Sequence, residues 1–465
     1  MEQLEFELPK RLREILERTP ELRRSFLVGG CVRDRLLGLP ITDFDIEVFD
    51  VSGEALQQGL QRWGRTDLVG RSFGVFKLQV RDGHVYDFSL PRRDSKVAPG
   101  HRGFLVEFDK DLPLPEAAAR RDFTINSMMF DPRQGCLIDF FGGQKDLETR
   151  VLRHTSPAFS DDPLRVLRGM QFASRFRLEA APETQDACRS ISSSFSELAV
   201  ERIRGEWQKW ASKSASPSHG LRFLLDAGWL GHFPEIDALR GVEQEPEWHP
   251  EGDVFAHVCH CLDALVQMRE WIDALELERL VLTFAVLAHD FAKPVTTHKT
   301  IKDGVVRIVA PGHEAKAGPI AETFLGRIGI PPEFTRRIVR LVTNHMAHLQ
   351  TQTDRSVRRL AARLVPETIE NLCTVIRADQ FGRPPRSQEP SATLLNLQQR
   401  ARELGLRKEA PKPILSGRDL LNRGLTPSPR FKRILNAAFE AQLDAAFEDS
   451  EGAEHWLTHF LSEEK

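Results

Sequence analysis

The sequence predicts an α+β protein, a mixed sheet with helices followed by all-helical lobes, on three observations. Short apolar runs broken by Gly, Pro and Asp crowd the first ~130 residues: FLVGG, FDIEVF, GVFKLQV, VYDFSL and GCLIDFF read as strands. Residues 3–19 and 31–37 instead place apolar side chains at three- and four-residue spacing and read as helices beside that sheet. From about residue 163 the helical spacing takes over, in PLRVLRGMQFASRF, ELAVERIRGEWQKWA and HGLRFLLDAGWL. Two stretches rich in Pro and Gly or in acidic residues, 233–253 and 382–392, interrupt it. The expected organisation is therefore a head over 1–155, a helical lobe over 156–235, a helical domain over 245–385 and a helical C-terminal region over 390–465. No internal repeat or low-complexity tract is visible.

Composition excludes several classes. Charged residues make up 28% of the 465 and hydrophobic ones 41%, which suits a soluble globular protein. No run approaches the ~20 apolar residues of a membrane span, so no membrane partner is expected. Met1 is followed by Glu2, Glu5 and Glu7 rather than by a basic start and an apolar segment, which points to the cytoplasm. Cys31, Cys136, Cys188, Cys259, Cys261 and Cys373 form neither CxxC pairs nor a dense framework and read as reduced and mostly buried. With a net charge of −3, any nucleic-acid partner must meet a local basic surface.

Chemistry enters with LVGGCVRDRLLGLPITDFDIEVF, residues 27–49. Backbone without side chains at Gly29 and Gly30 can approach a ligand closely, and Asp43 and Asp45, one residue apart on a strand, share a face. Clustered carboxylates suit hard cations, and nucleotidyl transfer uses two Mg2+ about 3.5–4 Å apart. Asp87 in VYDFSL reads as a further carboxylate for the same edge. Alone, D-x-D more often merely lines a solvated strand, because such pairs are common.

It is not alone. LVGGCVRD, ITDFDIEVF, GRSFGVFKL (70–78), RRDFTINSM (120–128) and SDDPLRVLRGMQFASRF (160–176), taken in order, strongly resemble the class II tRNA nucleotidyltransferases, the CCA-adding enzymes and the related bacterial poly(A) polymerases. The resemblance implies a polymerase-β-like head in which Gly29 and Gly30 cradle phosphates, Asp43 and Asp45 bind Mg2+, and Arg33 and Asp34 orient the loop and the triphosphate. It implies that Arg120, Arg121, Asp122 and Asn126 handle the ribose and phosphates of the incoming CTP or ATP. It also implies that Asp161, Asp162, Arg165 and Arg168 belong to the helix that chooses the base. A carboxylate accepts from the exocyclic amine of C or A, and a guanidinium donates to ring nitrogen or carbonyl; G and U lack that amine. The family usually has Glu where this chain has Asp161, and Asp at a helix start is also a cap. Arg202 and Arg204 match a linking segment with a structural role. The long segment 91–119 resembles the loop needed to switch from C to A, and Ser72 stands where poly(A) polymerases carry a basic residue, which favours tRNA.

The second half carries His257, the pair His289-Asp290 and Asp379, in the order H…HD…D of the HD metal-hydrolase superfamily. His and carboxylate on separate helices can converge on one divalent transition metal, and His313 and His345 are candidates for a second site. His260 reads as structural. WHPEGDVFAHV and HDFAKP resemble the HD-bearing CCA enzymes, in which the module removes 2′ or cyclic phosphates, with Lys293 as a phosphate contact. PILSGRDLLNRGLTPSPRFKRIL (413–435) resembles the terminal segment of many CCA enzymes, and Arg418, Arg423, Arg430, Lys432 and Arg433 are either a tRNA-contacting face or a solvated one. Three readings stay open: a full CCA-adding enzyme with an HD phosphohydrolase, an A-adding or polyadenylating enzyme, and an HD phosphohydrolase with a non-catalytic head.

Overall fold

A computed structural model describes residues 6–69, 74–96 and 104–463 of the chain. They fall into two compact units, Met1–His232 and Phe233–Lys465. In the first, β1 (Ser25–Val28), β2 (Asp45–Val48), β3 (Gly64–Val69), β4 (Val75–Val80) and β5 (Val85–Ser89) precede a two-stranded antiparallel ladder of β6 (Arg92–Lys96) and β7 (Phe104–Phe108). With β8 (Met129–Asp131) and β9 (Cys136–Ile138), the first five build a mixed sheet in the order β3-β4-β5-β2-β1-β8-β9, in which β2 and β5 run parallel and the other neighbours antiparallel.

Burial follows the pattern of the sequence. All four residues of β1 are buried, as expected of a central strand with both faces covered, whereas β4 buries Phe76, Leu78 and Val80 and leaves Lys77 and Gln79 exposed. Two expectations need correction. Among the described residues, the predicted helix over 3–19 runs from Lys10 to Arg18: Pro9 precedes it, and a proline pushes the residue before it out of the helical region. Asp43 lies just before β2 rather than on it. The extended backbone nevertheless continues, since the Phe44 carbonyl accepts from the Asp87 N–H and exposure alternates through Asp43, Phe44, Asp45 and Ile46.

Beyond β9, a two-residue parallel ladder of β10 (Val151–Leu152) and β11 (Glu179–Ala180) flanks the buried helix Leu164–Phe176, which packs against Val200–Lys213 and Pro217–Asp226. In the second unit, helices Val254–Leu265, Glu276–Ala288 and Ile369–Phe381 pack on one another, and every residue from Leu280 to Ala288 is buried, as in a core helix that is apolar all round. One departure from the all-helical expectation is the hairpin of β12 (His298–Lys302) and β13 (Val305–Val309), turned by Asp303 and Gly304, both at positive φ. Asp-Gly between Lys302 and Val305 favours this turn because its twist matches that of the strands. Helix Ala392–Glu403 packs on Ile369–Phe381, and a separate apolar core begins at Leu415 with Leu420, Ile434 and Leu457. No helix among the described residues is long and apolar enough to cross a membrane, and all six cysteines are buried and outside disulfides.

Candidate functional site

The sheet brings three carboxylates to one edge. Asp45 and Asp87 are register partners across β2 and β5, and Asp43 precedes them by one turn of the pleat. Although Asp45 is open to solvent on one side, protein atoms crowd its carboxyl: burial raises its pKa, Arg121 opposes this, and the charges of Asp87 and Asp43 add to the rise. Lys77 Nζ lies 3.1 Å from Asp87 Oδ2. Such a knot of like charge at an accessible edge suits a hard divalent cation.

Beside it, β1 ends at Gly29, whose φ of 72° starts the helix Gly30–Leu36. A Cβ at Gly29 would sit 3.2 Å from Arg121 Nη1 and 3.9 Å from Asp45 Oδ2, so glycine serves both the turn and the approach of these groups. Arg120 and Arg121 both donate to Glu47, at 2.6 and 3.0 Å. Glu47 is fully buried; burial pulls its pKa up, but the two guanidinium groups win and hold it below the usual range. The sequence reading missed Glu47, although the alternation D-x-D-x-E through residues 43, 45 and 47 carried its signal.

The remaining polar residues of the head make a buried chain. Arg33 donates to Asp34 and, at 2.5 Å, to Asn126 Oδ1, while its guanidinium lies over the Phe176 ring at 4.5 Å. Asn126 donates to Asp122 Oδ1 at 3.0 Å, and Arg168 Nε donates to Asp122 Oδ2 at 2.7 Å. Arg33, Asp122 and Asn126 are thus buried and joined to one another by hydrogen bonds. Asp162 Oδ1 accepts from the Leu164 N–H at the helix start, as a cap does, and Oδ2 accepts from Arg202 at 2.7 Å. Arg165 donates to the carbonyls of Ala158 and Arg120, both at 2.7 Å. Asp161 closes the short turn Pro157–Asp161. Ser72 and residues 97–103 of the long loop lie outside the described residues.

In the second unit a histidine cluster converges from four segments. His289, at the end of Glu276–Ala288, has Nδ1 2.7 Å from the Val286 carbonyl; His313 and His345 are held in the same way by the Ala310 and Val342 carbonyls, each at 2.7 Å. A carbonyl only accepts, so each Nδ1 carries the proton; for His289, burial pulls the pKa down but the neighbouring Asp290 and Asp379 win and raise it. His257 Nδ1 lies 2.7 Å from Glu251 Oε1, which orients it likewise. Burial and two neighbouring histidines pull His345 down to about 3. The Nε2 atoms of His313 and His345 lie 3.2 Å apart, and His257 Nε2 lies 3.1 Å from Asp379 Oδ1. His289 Nε2 is buried and lies 3.2 Å from Asp290 Oδ2. Lone pairs facing one another at these distances fit a shared cation.

Three donor sets result among the described residues: His257, Cys261, His289 and Asp379; His249, Glu251 and His257; and Asp290, His313 and His345, the atoms of each within 4.8 Å of one another. Cys261, Glu251 and His249 were not anticipated; one turn on from His257, Cys261 joins the donor set rather than His260. Lys293 is tied to Asp290 Oδ2 and Gln244 Oε1, both at 2.7 Å, and Arg383 donates to Asp379 Oδ1 at 2.5 Å. A cavity of about 1010 Å³ opens over the cluster, with Trp248, Lys302 and Arg386 on its walls. Of the C-terminal cations, Arg423 is taken up by Glu454 and Thr458.

Comparison with known proteins places these two sites in matching contexts. Residues 25–153 match the poly A polymerase head domain and residues 255–383 the HD domain. The chain is 35% identical over 372 residues to the multifunctional CCA protein of Nitrosospira multiformis, covering 79% of this chain and 81% of that one. It is 34% identical over 418 residues to that of Thioalkalivibrio sulfidiphilus, covering 87% and 94%. In fold it is similar to the Bacillus stearothermophilus CCA-adding enzyme in complex with CTP, with a TM-score of 0.66 at 20% identity over 98% of this chain and 99% of that one. It is also similar to the Thermotoga maritima CCA-adding enzyme complexed with tRNA, with a TM-score of 0.59 at 18% identity over 98% and 96%.

Proposed function

Because this chain belongs to the multifunctional CCA proteins, and is thereby a tRNA nucleotidyltransferase, we propose that it adds C, C and A to tRNA 3′ ends at Asp43 and Asp45 and repairs damaged ends at the HD cluster. The observation that carries the first half is the carboxylate edge of Asp43, Asp45 and Asp87 beside Gly29 and Arg121. Two Mg2+ held by Asp43 and Asp45 would supply activation of the attacking hydroxyl and neutralisation of the triphosphate. The protein's own part is position. Glu47 draws Arg120 and Arg121 onto one carboxylate, so their remaining N–H groups face the incoming phosphates as a prearranged fork. The Arg33–Asn126–Asp122–Arg168 chain keeps that turn rigid.

Choice of base falls to Asp162 and Arg165. Asp162 Oδ2, already bonded to Arg202, keeps a second lone pair for an exocyclic amine, and Arg165 uses two of its five N–H groups on carbonyls, leaving others for a ring nitrogen. Selection by protein side chains needs no template strand, and ATP and CTP carry an amine at the ring position where GTP and UTP carry a carbonyl.

For the second half, the supporting observation is the convergence of His257, His289, Asp290 and Asp379, with His313 and His345 adjoining. A divalent transition metal there would supply Lewis-acid activation of water and phosphate. Arg383 and Arg386 at the cavity wall give a phosphate its counter-charge. Both reactions act on tRNA in the cytoplasm in this reading.

The test is incorporation of labelled CTP, then ATP, into three tRNA transcripts ending at the discriminator base, at C or at CC. Ordered addition of C, C and A supports the reading; ATP use on the CC-ending transcript alone makes this an A-adding enzyme. Release of phosphate from a tRNA bearing a 2′,3′-cyclic end tests the HD half separately.

A further inference from the structure

We propose that Trp248 is the base-binding residue of the HD cavity: the nucleobase of a nucleoside phosphate, free or at an RNA end, stacks on its indole while the phosphate lies at the histidine cluster. The proposal rests on the reading of that cluster as a phosphohydrolase centre and adds what the cavity recognises. Trp248 lines the cavity, and 51% of its surface is exposed. The Arg386 guanidinium lies over its ring, 4.9 Å from the centroid, and lines the same cavity. One planar guanidinium covers one face of an indole, and an aromatic surface kept in water beside a cation is what an unstacked base packs against. At about 1010 Å³ the cavity lies at the upper limit of the ~300–1,000 Å³ that take drug-sized ligands, so it has room for a nucleoside as well as its phosphate.

Two observations separate Trp248 from an aromatic residue that is exposed by chance. The first is that the segment carrying it is fastened from two directions. Glu245 accepts from the Ile308 N–H at 2.9 Å and from Arg307 at 3.0 Å, Arg307 also donates to Glu247, and Arg386 donates to the Glu247 carbonyl at 3.1 Å. The hairpin β12–β13 and the stretch after Ile369–Phe381 therefore hold the indole in place before any ligand arrives, which lowers the ordering cost of binding. The second is its distance from the chemistry. His249, the next residue, packs its ring against that of His257 with centroids 4.8 Å apart, and adjacent Cα atoms are ~3.8 Å apart. A base at Trp248 and a phosphate at the cluster are thus the two ends of one nucleotide. Arg386 lies flat on the indole and keeps edge N–H groups for the phosphate. No proton or bond changes at Trp248; its part is to bind and orient.

The experiment uses the full chain, supplied with a divalent transition metal, on three substrates: tRNA with a 2′,3′-cyclic end, adenosine 2′,3′-cyclic phosphate, and glycerol 1,2-cyclic phosphate, which has no base. Trp248→Ala is expected to lower kcat/KM for adenosine 2′,3′-cyclic phosphate roughly tenfold or more, chiefly through KM, and to leave the glycerol ester within about twofold of the wild type. Trp248→Phe keeps an aromatic face and should recover most of the loss. A matching loss on the tRNA identifies the RNA end as the source of the base, and a loss on the free nucleotide alone identifies the free nucleotide. In the metal-stripped chain, adenosine 2′-phosphate should quench part of the tryptophan fluorescence, and that part should be missing from Trp248→Phe. No loss, an equal loss on all three substrates, a loss confined to the tRNA, or quenching that persists in Trp248→Phe overturns the proposal and leaves the phosphohydrolase standing. If the wild-type chain hydrolyses none of the three, the phosphohydrolase reading falls and the proposal with it. Thermal melting of each variant shows that it is folded.

Discussion

Asp45 and Asp87 are register partners in the parallel pair β2 and β5, beside Asp43. Asp43→Ala or Asp45→Ala is expected to lower kcat/KM for a single C addition about 10³-fold, which is ~4 kcal/mol of transition-state stabilisation. Asp87→Asn should cost about tenfold, because Lys77 already neutralises part of its charge. A loss as large as that of Asp45→Ala would make Asp87 a third metal ligand. Phosphate release at the HD cluster should stay intact in all three variants.

Glu47 is the anchor of the arginine pair, and its removal tests structure and pH together. Glu47→Gln leaves Arg120 and Arg121 without their buried carboxylate and is expected to cost roughly 3–5 kcal/mol of stability. Because the folded-state pKa is depressed, Glu47 contributes stability above its ordinary pKa of 4.5, and that contribution is lost as pH falls through the lower folded value. Melting temperature of the wild-type chain should therefore drop more steeply below about pH 4.5 than that of Glu47→Gln, measured by calorimetry.

Asp162 carries two jobs that can be told apart. Asp162→Ala removes a helix cap, worth ~1 kcal/mol of stability, and should also degrade the preference for CTP and ATP over UTP and GTP by about tenfold or more. Asp162→Asn keeps an oxygen for the cap but reverses half the donor pattern, so it should melt near the wild type and still misincorporate. Steady-state kinetics with each of the four nucleotides decides; equal losses for all four would leave Asp162 with the cap alone.

Glu251 orients His257 from outside the set of His257, His289 and Asp379, with Oε1 2.7 Å from Nδ1. Glu251→Gln is expected to weaken metal binding by about 10–100-fold and lower phosphate release accordingly, without affecting C addition. Isothermal titration with Zn2+ and Mn2+ on the stripped protein reads the first effect directly.

His289→Ala should abolish phosphate release and leave C, C and A addition unchanged, since the two sites occupy separate compact units. Loss of nucleotide incorporation in that variant would show that the units depend on each other.

What the sequence determined by itself was whatever depends on neighbours a few residues apart. Strand alternation put Phe44 and Ile46 inward and Asp43 and Asp45 outward, helical spacing buried Leu164–Phe176 and the helix before His289-Asp290, and both are consequences of backbone periods of 2 and 3.6 residues. The order of motifs along the chain was enough to identify the family. Two local signals were present but unread: Asp303-Gly304, which turns the β12–β13 hairpin, and the E of D-x-D-x-E. Only the tertiary structure decided which charges meet. His257 and Asp379 are 122 residues apart, Arg33 and Asn126 are 93 apart, and Arg120 finds Glu47 across 73. No periodicity encodes such pairings, because they follow from how whole helices and strands pack. For the same reason Arg33, Asp122 and Asn126 came to be buried in one hydrogen-bonded chain, and Cys261 came to lie against His257.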